Sequence, residues 1–367
     1  SCGKHPPTDE REAYDESQRP NTTACLAAES AQERNMFINE GLGVFWNAVN
    51  RAQIGLDPRT GAQLNSFSPQ EVALVDALTR PHTETEFRQR AQQLHIPYSR
   101  AQRIIALLDS AGMLTTDLPQ VPDAAAYWRI HHAVPTHRAH AHVHIPRLDP
   151  TSQAIALALA RAGIGVISTA DSGIVTPHDH PLWARRYLGM RKVTAFTAVL
   201  REENPQVRTA SAQPPDLVLL TSSHGIDPYA ASRYTASGIR VFHAWVEEVD
   251  AYLGPLTVAH ETPCATCVNL HRVDADPAWA VLAPQAFSAQ PVIPESSTLS
   301  LIAALSAREI LTEIDGHASL LRGGLYRIPP SPEPPEILSV PFHSQCGCAA
   351  DGAAAQFERT TSSTASP

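Results

Sequence analysis

The chain has 367 residues, of which 43% are hydrophobic and 18% charged, with a formal net charge of −9 and six cysteines. That length allows two domains with real cores, and the acidic balance argues against a phosphate-backbone partner, which needs clustered Lys and Arg. No basic-plus-apolar signal opens the sequence and no apolar run approaches the ~18 residues that cross a bilayer, so a cytoplasmic protein with no nucleic-acid or membrane partner is expected.

Residues 1–38 mix Pro, Asp, Glu, Ser, Gln and Asn with little apolar periodicity. Such a leader is expected to stay disordered, with Cys2 and Cys25 as free thiols. From Gly43 the texture changes. Val44-Phe45-Trp46 and Gln53-Ile54-Gly55-Leu56 read as strands, Asp57-Pro58 and Thr60-Gly61 as turn chemistry, and 62–65 as a third strand. Ser68-Pro69 predicts the start of a helix carrying Val72, Leu74, Val75 and Leu78 inward, and 83–94 a second helix. Ser99 predicts the cap of a third, whose Ile104, Ile105, Leu107 and Leu108 stripe stops at Ala111-Gly112.

Three strands and three helices in this order make a winged-helix-like module over 39–117. Its third helix offers only Arg100 and Arg103 as bases, opposed by Asp109, which is too little for DNA. Peptide capture by strand addition suits it better. The edge would be Ala62, Gln63, Leu64 and Asn65, and the helix would contribute Arg100, Arg103, Ile104 and Leu107. Apolar peptide residues are expected to bury near Leu64 and Ile104, and an acidic one to meet Arg103.

Residues 118–139 read as a Pro- and His-rich linker. In the strand that follows, His140, His142 and His144 alternate on one face; with no Cys, Asp or Glu between them, a half-exposed first strand is expected rather than a metal site. Ala141–Ile145, a helix over 152–162 and a strand over 165–169 ending near Asp171 form a βαβ unit. An acid at that place suits a ribose hydroxyl. The phosphate loop is lost: the three glycine positions of G-x-G-x-x-G fall on Arg147, Asp149 and Ser152, whose side chains block phosphate and, for Asp149, repel it. ATP is not expected to bind here.

A helix over 188–200, strands over 216–221 and 239–245 with a helix over 227–237 between them, a mobile crossover over 283–297, a long helix over 299–314 and a strand over 324–328 complete an α/β domain spanning 140–349. Residues 350–367 read as a disordered tail. Two close cysteine pairs, Cys264/Cys267 and Cys346/Cys348, can supply the four thiolates of a closed, structural zinc knot. Paired disulfides, a redox Cys-x-x-Cys and plain buried thiols are the competing readings; an intracellular chain disfavours the first, and the second leaves Cys346 and Cys348 unexplained.

Several runs together carry a family likeness: 53–58 (QIGLDP), 254–256 (GPL), 263–267 (PCATC) with Leu270-His271-Arg272, 276–279 (DPAW), and His343 leading to Cys346-Gly-Cys348. In these the chain resembles the ThiF-like, ubiquitin-activating-enzyme-like proteins that bind leader peptides for YcaO cyclodehydratases in thiazole- and oxazole-forming pathways. The resemblance implies a precursor leader peptide and a YcaO-type enzyme as partners, and leaves room for a homodimer. It makes the early module the peptide recognition element. Asp171 and Lys192 match the family's ribose acid and lysine, yet 176–180 (TPHDH) stands where adenylating members resemble Asn-Leu-Arg-Gln, and Ser222 or Ser223 stands where an aspartate assists magnesium. On this reading Lys192 is a helix-surface lysine and the protein a non-catalytic subunit; an adenylating enzyme acting on a peptide carboxylate is the alternative.

Overall fold

The computed structural model describes residues 35–48, 51–116 and 120–349. The expectations for residues 1–34, with Cys2 and Cys25, and for 350–367 lie outside the described residues. Two compact units emerge. One takes in the described residues up to 116 with Trp128–His132; the other takes in Gln120–Tyr127 and the described residues from Ala133 onward.

In the first unit β1 (Phe37–Ile38) pairs with β5 (Leu114–Thr115), while β2 (Val44–Ala48), β3 (Arg51–Ile54) and β4 (Ala62–Asn65) form an antiparallel sheet in the order β2-β3-β4. The expected turn is built by glycine: a Cβ on Gly61 would lie 2.9 Å from the carbonyl oxygens of Asp57 and Ile54. Helix α1 (Pro69–Ala77) starts at a Ser68/Glu71 capping box, and α2 (Glu84–Gln93) at a Thr83/Glu86 one. Helix α3 (Tyr98–Ser110) begins one residue before its expected cap. Pro97 holds the cap position without a side-chain bond, so Ser99 is an ordinary first-turn residue. Ile38, Leu64, Leu74, Phe87 and Ile104 fill the core between sheet and helices.

The stretch read as a linker contains α4 (Ala124–His131) and a short 3-10 turn, Thr136–Ala139. Arg138 is buried there and ion-pairs with Asp315 at 2.7 Å and Asp123 at 2.8 Å, which ties 133–139 to the second unit.

The second unit is a seven-stranded mixed sheet in the order β12-β11-β10-β9-β8-β6-β7. Strands β6 (His142–Ile145), β7 (Val166–Thr169), β8 (Leu217–Ser223) and β9 (Arg240–Val246) run parallel, and β10 (Ala251–Thr257), β11 (Gly324–Ile328) and β12 (Glu336–Ser339) continue antiparallel. Because β7 lies on one side of β6 and β8 on the other, the order reverses at β6. That is the crevice where open α/β sheets bind ligands. Helices α5 (Pro150–Arg161), α7 (Lys192–Glu203) and α11 (Ser296–Ile314) bury Ile155, Leu159, Phe196, Ile302 and Ile310 in the main core, and α8 (Pro228–Thr235) connects β8 to β9.

Three further expectations are corrected here. The helix expected from 188 starts at Lys192, after α6 (Pro181–Tyr187), because 189–192 pairs with 173–175 through the Ile174–Arg191 bridge. The crossover over 283–297 opens with the end of α10 (Trp279–Ala286). The first parallel strand is interior: His142 is only 7% exposed, and both His142 and His144 bond the Ser168 hydroxyl, at 2.7 and 2.9 Å. Strand β12, absent from the sequence reading, follows the proline-rich stretch 329–335. Among the described residues no helix is long and apolar enough to cross a membrane.

Candidate functional site

Three places could do work, and the cysteines are the most compact. Strand β10 ends in a turn pinned by Thr262, whose hydroxyl accepts from Val258 N–H at 2.8 Å and donates to Leu256 O at 3.0 Å. That delivers Cys264 to the N-cap of α9 (Ala265–Ala275) and Cys267 to its first turn, where the helix N-terminus favours negative charge. Cys346 and Cys348 return to meet them from the segment after β12. The Sγ atoms of Cys264 and Cys346 are 3.6 Å apart, those of Cys267 and Cys348 3.4 Å, and all four lie within 4.8 Å of one another.

A disulfide brings sulfurs to about 2.05 Å, whereas a tetrahedral ion with ~2.3 Å bonds holds them about 3.8 Å apart. The spacing is therefore that of four thiols around one metal-sized point. Burial pushes the Cys346 thiol up to about 11 and raises Cys348 as well. Burial acts the same way on Cys264, but bonds from the Cys267 N–H and the facing thiols outweigh it and lower that group. Four crowded thiols cannot all ionise unaided; a divalent cation held among them would supply the missing charge.

The crevice at β6 is filled by the chain's own groups. Asp149 caps α5, its Oδ1 accepting from Ser152 N–H at 2.8 Å and its Oδ2 from the Thr221 hydroxyl at 2.6 Å. The Ser152 hydroxyl accepts from Asp149 N–H and donates to Arg147 O, while the Arg147 side chain is exposed. A carboxylate thus occupies the helix N-terminus where this class of fold places a phosphate. The Asp171 carboxylate accepts from Leu148 and Gly173 N–H, at 2.7 and 2.8 Å.

Lys192 is not the surface lysine expected from sequence. Its side chain is 15% exposed, and its ammonium pairs with Asp179 at 2.9 Å and donates to Leu148 O at 2.5 Å. Asp179, which sequence reasoning did not single out, is 2% exposed and also accepts from Gln153 Nε2, Thr176 N–H and the Thr176 hydroxyl. Burial alone would raise its carboxyl; the Lys192 bond and the Thr176 donors outweigh it and hold the group below the usual range. The signal was Thr176-x-x-Asp179, the spacing of a local capping turn. Ser222 and Ser223 spend their hydroxyls on Gly225 O and Val292 N–H.

In the first unit β4 is a sheet edge, and Gln63 and Asn65 are exposed along it. Leu64 and Ile104 are 3% and 0% exposed, so neither can form the apolar contact with a peptide expected of them. Arg100, Arg103 and Leu107 share one flank of α3 by their i, i+3, i+7 spacing. Arg100 ion-pairs with Glu71 at 2.5 Å and lies 5.5 Å over the Phe67 ring, which places the start of α3 near the end of β4. Arg103 is exposed, and Leu107 is 52% exposed.

Comparison with solved structures then fixes the fold. Escherichia coli MccB with succinimide superposes at a TM-score of 0.62 with 13% identity, over 86% of this chain and 99% of that one. The likeness is one of fold. The same enzyme with ATP gives 0.59, and as the microcin C7 biosynthetic enzyme in complex with N-formylated MccA also 0.59, both at 13% identity with the same coverage. PaaA gives 0.60 at 14% identity, over 82% of this chain and 98% of that one. No family profile and no curated protein sequence matches the chain.

Proposed function

We propose that the chain is a ThiF-like subunit that binds the leader of a ribosomally made precursor peptide and presents its core to a YcaO-type, ATP-dependent cyclodehydratase in the cytoplasm. Residues 39–117 serve as the winged-helix-like recognition element, and 140–349 as a ThiF-like body closed by structural zinc on Cys264, Cys267, Cys346 and Cys348. The body does no adenylation of its own. The observation that carries this is the Asp149 carboxylate on the α5 N-terminus, with Lys192 turned inward to Asp179 rather than toward a phosphate. The MccB fold, seen in complex with a peptide, supports the peptide half of the reading.

The nucleotide test is direct. Calorimetry with magnesium-ATP should give no heat of binding at millimolar nucleotide, and pyrophosphate should not exchange into ATP. The alternative, an adenylating enzyme acting on a peptide carboxylate, draws on the MccB structure with ATP. Exchange that Lys192→Ala abolishes would establish it and remove the non-catalytic reading.

For the peptide, the leader is read by main-chain pairing along Ala62, Gln63, Leu64 and Asn65, and by side chains of α3. Leu107 and Arg103 do this reading, because Leu64 and Ile104 face the core and Arg100 is committed to Glu71. Anisotropy of a labelled leader against the full chain should show binding weakened about tenfold by Leu107→Asp, and several-fold by Arg103→Glu for a leader carrying an acid at that register. Unchanged affinity in both variants would move the peptide site elsewhere.

A further inference from the structure

Helix α9 presents Cys267, His271 and Asp274 at i, i+4 and i+7, one face of the helix, to the returning segment 340–348. His343 in that segment is 6% exposed, and every polar atom it has is engaged. Its N–H points at Cys267 Sγ at 3.5 Å, and its carbonyl accepts from Cys346 N–H at 2.9 Å. Its Nδ1 accepts from Gln345 N–H at 3.1 Å, so the ring proton sits on Nε2, which meets Asp274 Oδ2 at 2.8 Å. The His271 ring packs edge-on against it at 4.8 Å and donates its Nε2–H to Pro341 O at 3.0 Å.

We propose that His343 and Asp274 form a positioning latch that sets the turn carrying Cys346 and Cys348 before metal arrives, so that the two distant cysteine pairs meet as one preformed site. This rests on the reading of the four cysteines as a metal site. The latch acts through geometry. One end of His343 is fixed to the helix that supplies the first pair, and its backbone and Nδ1 shape the turn that supplies the second. By fixing the backbone, the ring also keeps the His343 N–H on the Cys267 sulfur, the kind of outer contact whose loss typically costs metal sites about 10- to 100-fold in affinity. The residues near it could instead be ligands, since His271, Asp274 and His343 offer atoms within 4.8 Å of one another. The hydrogen bonds count against that: the His343 Nε2 lone pair is capped by its proton, and the ring's other nitrogen is already an acceptor.

The test uses the full chain loaded with zinc, and separately with cobalt. The wild type should bind one metal per chain and show the intense charge-transfer bands of a four-thiolate cobalt site. His343→Ala should release zinc to a chromogenic chelator ten- to a hundredfold faster and weaken the cobalt bands as Cys346 and Cys348 lose their setting. Asp274→Ala removes a carboxylate whose side chain is 64% exposed, so it leaves the fold intact even should His343→Ala not fold. It should speed release three- to tenfold, and His271→Ala should do so less than His343→Ala. Release and spectra unchanged in both His343→Ala and Asp274→Ala would overturn the latch. Two metals per chain, with one lost in all three variants while the thiolate bands persist, would make these residues ligands and overturn it too. A wild-type chain that binds no metal would overturn the four-cysteine reading along with it.

Discussion

Stripping zinc from the purified chain should lower its melting temperature by 10 °C or more. The reasoning starts from where the cysteines lie. The 264–267 turn follows a central strand of the sheet, whereas Cys346 and Cys348 follow β12, the outermost strand, all four of whose residues are exposed. Little apolar burial holds that edge: Ile337 is 51% and Leu338 36% exposed. Leu325 and Ile328 anchor β11 in the core, but over 336–348 only Val340 and His343 are buried, so the closure of that last segment leans on the thiolates. Metal free energy that exists only in the folded chain is folding free energy. Even about 5 kcal/mol of it, well below what structural zinc supplies in small domains, corresponds to some 10–20 °C for a unit of this size. Differential scanning fluorimetry with and without a strong chelator, followed by zinc add-back, measures it. Cys267→Ser should reproduce the chelated state and fail to respond to added zinc. A chelated chain that melts where the loaded one does would rule out a structural metal.

Much of the fold was legible because local chemistry and global order agree in it. Ser68 with Glu71 and Thr83 with Glu86 wrote two helix starts into the sequence, and Asp57-Pro58 with Gly61 wrote the hairpin turn. The four cysteines were legible for the same reason: sulfur at close spacing has few uses. What sequence could not give was direction. Leu64 and Ile104 were assigned to a peptide groove because they are apolar and near the expected edge, and the same property buries them in the core. Lys192 was read as a helix-surface lysine because the phosphate loop and metal ligand of a nucleotide site are missing around it; its partner Asp179 is thirteen positions away, on the far side of α6. Arg138 was lost in an apparent linker for the same cause, with Asp315 at the other end of the chain. Pairing over such distances is a property of the topology, and β12 was missed because a four-residue edge strand with no buried face carries no alternation to read.

Asp179→Ala should be the most destabilising single change in the crevice, by about 3–5 kcal/mol. It strands the Lys192 ammonium, with only 15% of the side chain exposed, and leaves Gln153 Nε2 and the Thr176 donors without their acceptor. Removing both charges should cost far less: Asp179→Leu with Lys192→Met replaces a desolvated pair by apolar volume and should lie close to the wild type. The pH dependence carries a definite sign. The folded carboxyl of Asp179 is held below its unfolded value of about 3.9, so its contribution is present above that pH and lost as pH falls through the folded value. Urea unfolding followed by tryptophan fluorescence, to which Trp183, fully buried on α6 beside His180, contributes, should therefore show the gap between wild type and Asp179→Asn wide at pH 6 and narrowing below pH 4. A gap that stays constant down to pH 3 would mean that the carboxylate's charge does not hold Lys192. The lysine would then be free to turn outward, and with it would go the argument that this chain has spent its phosphate ligand on its own core.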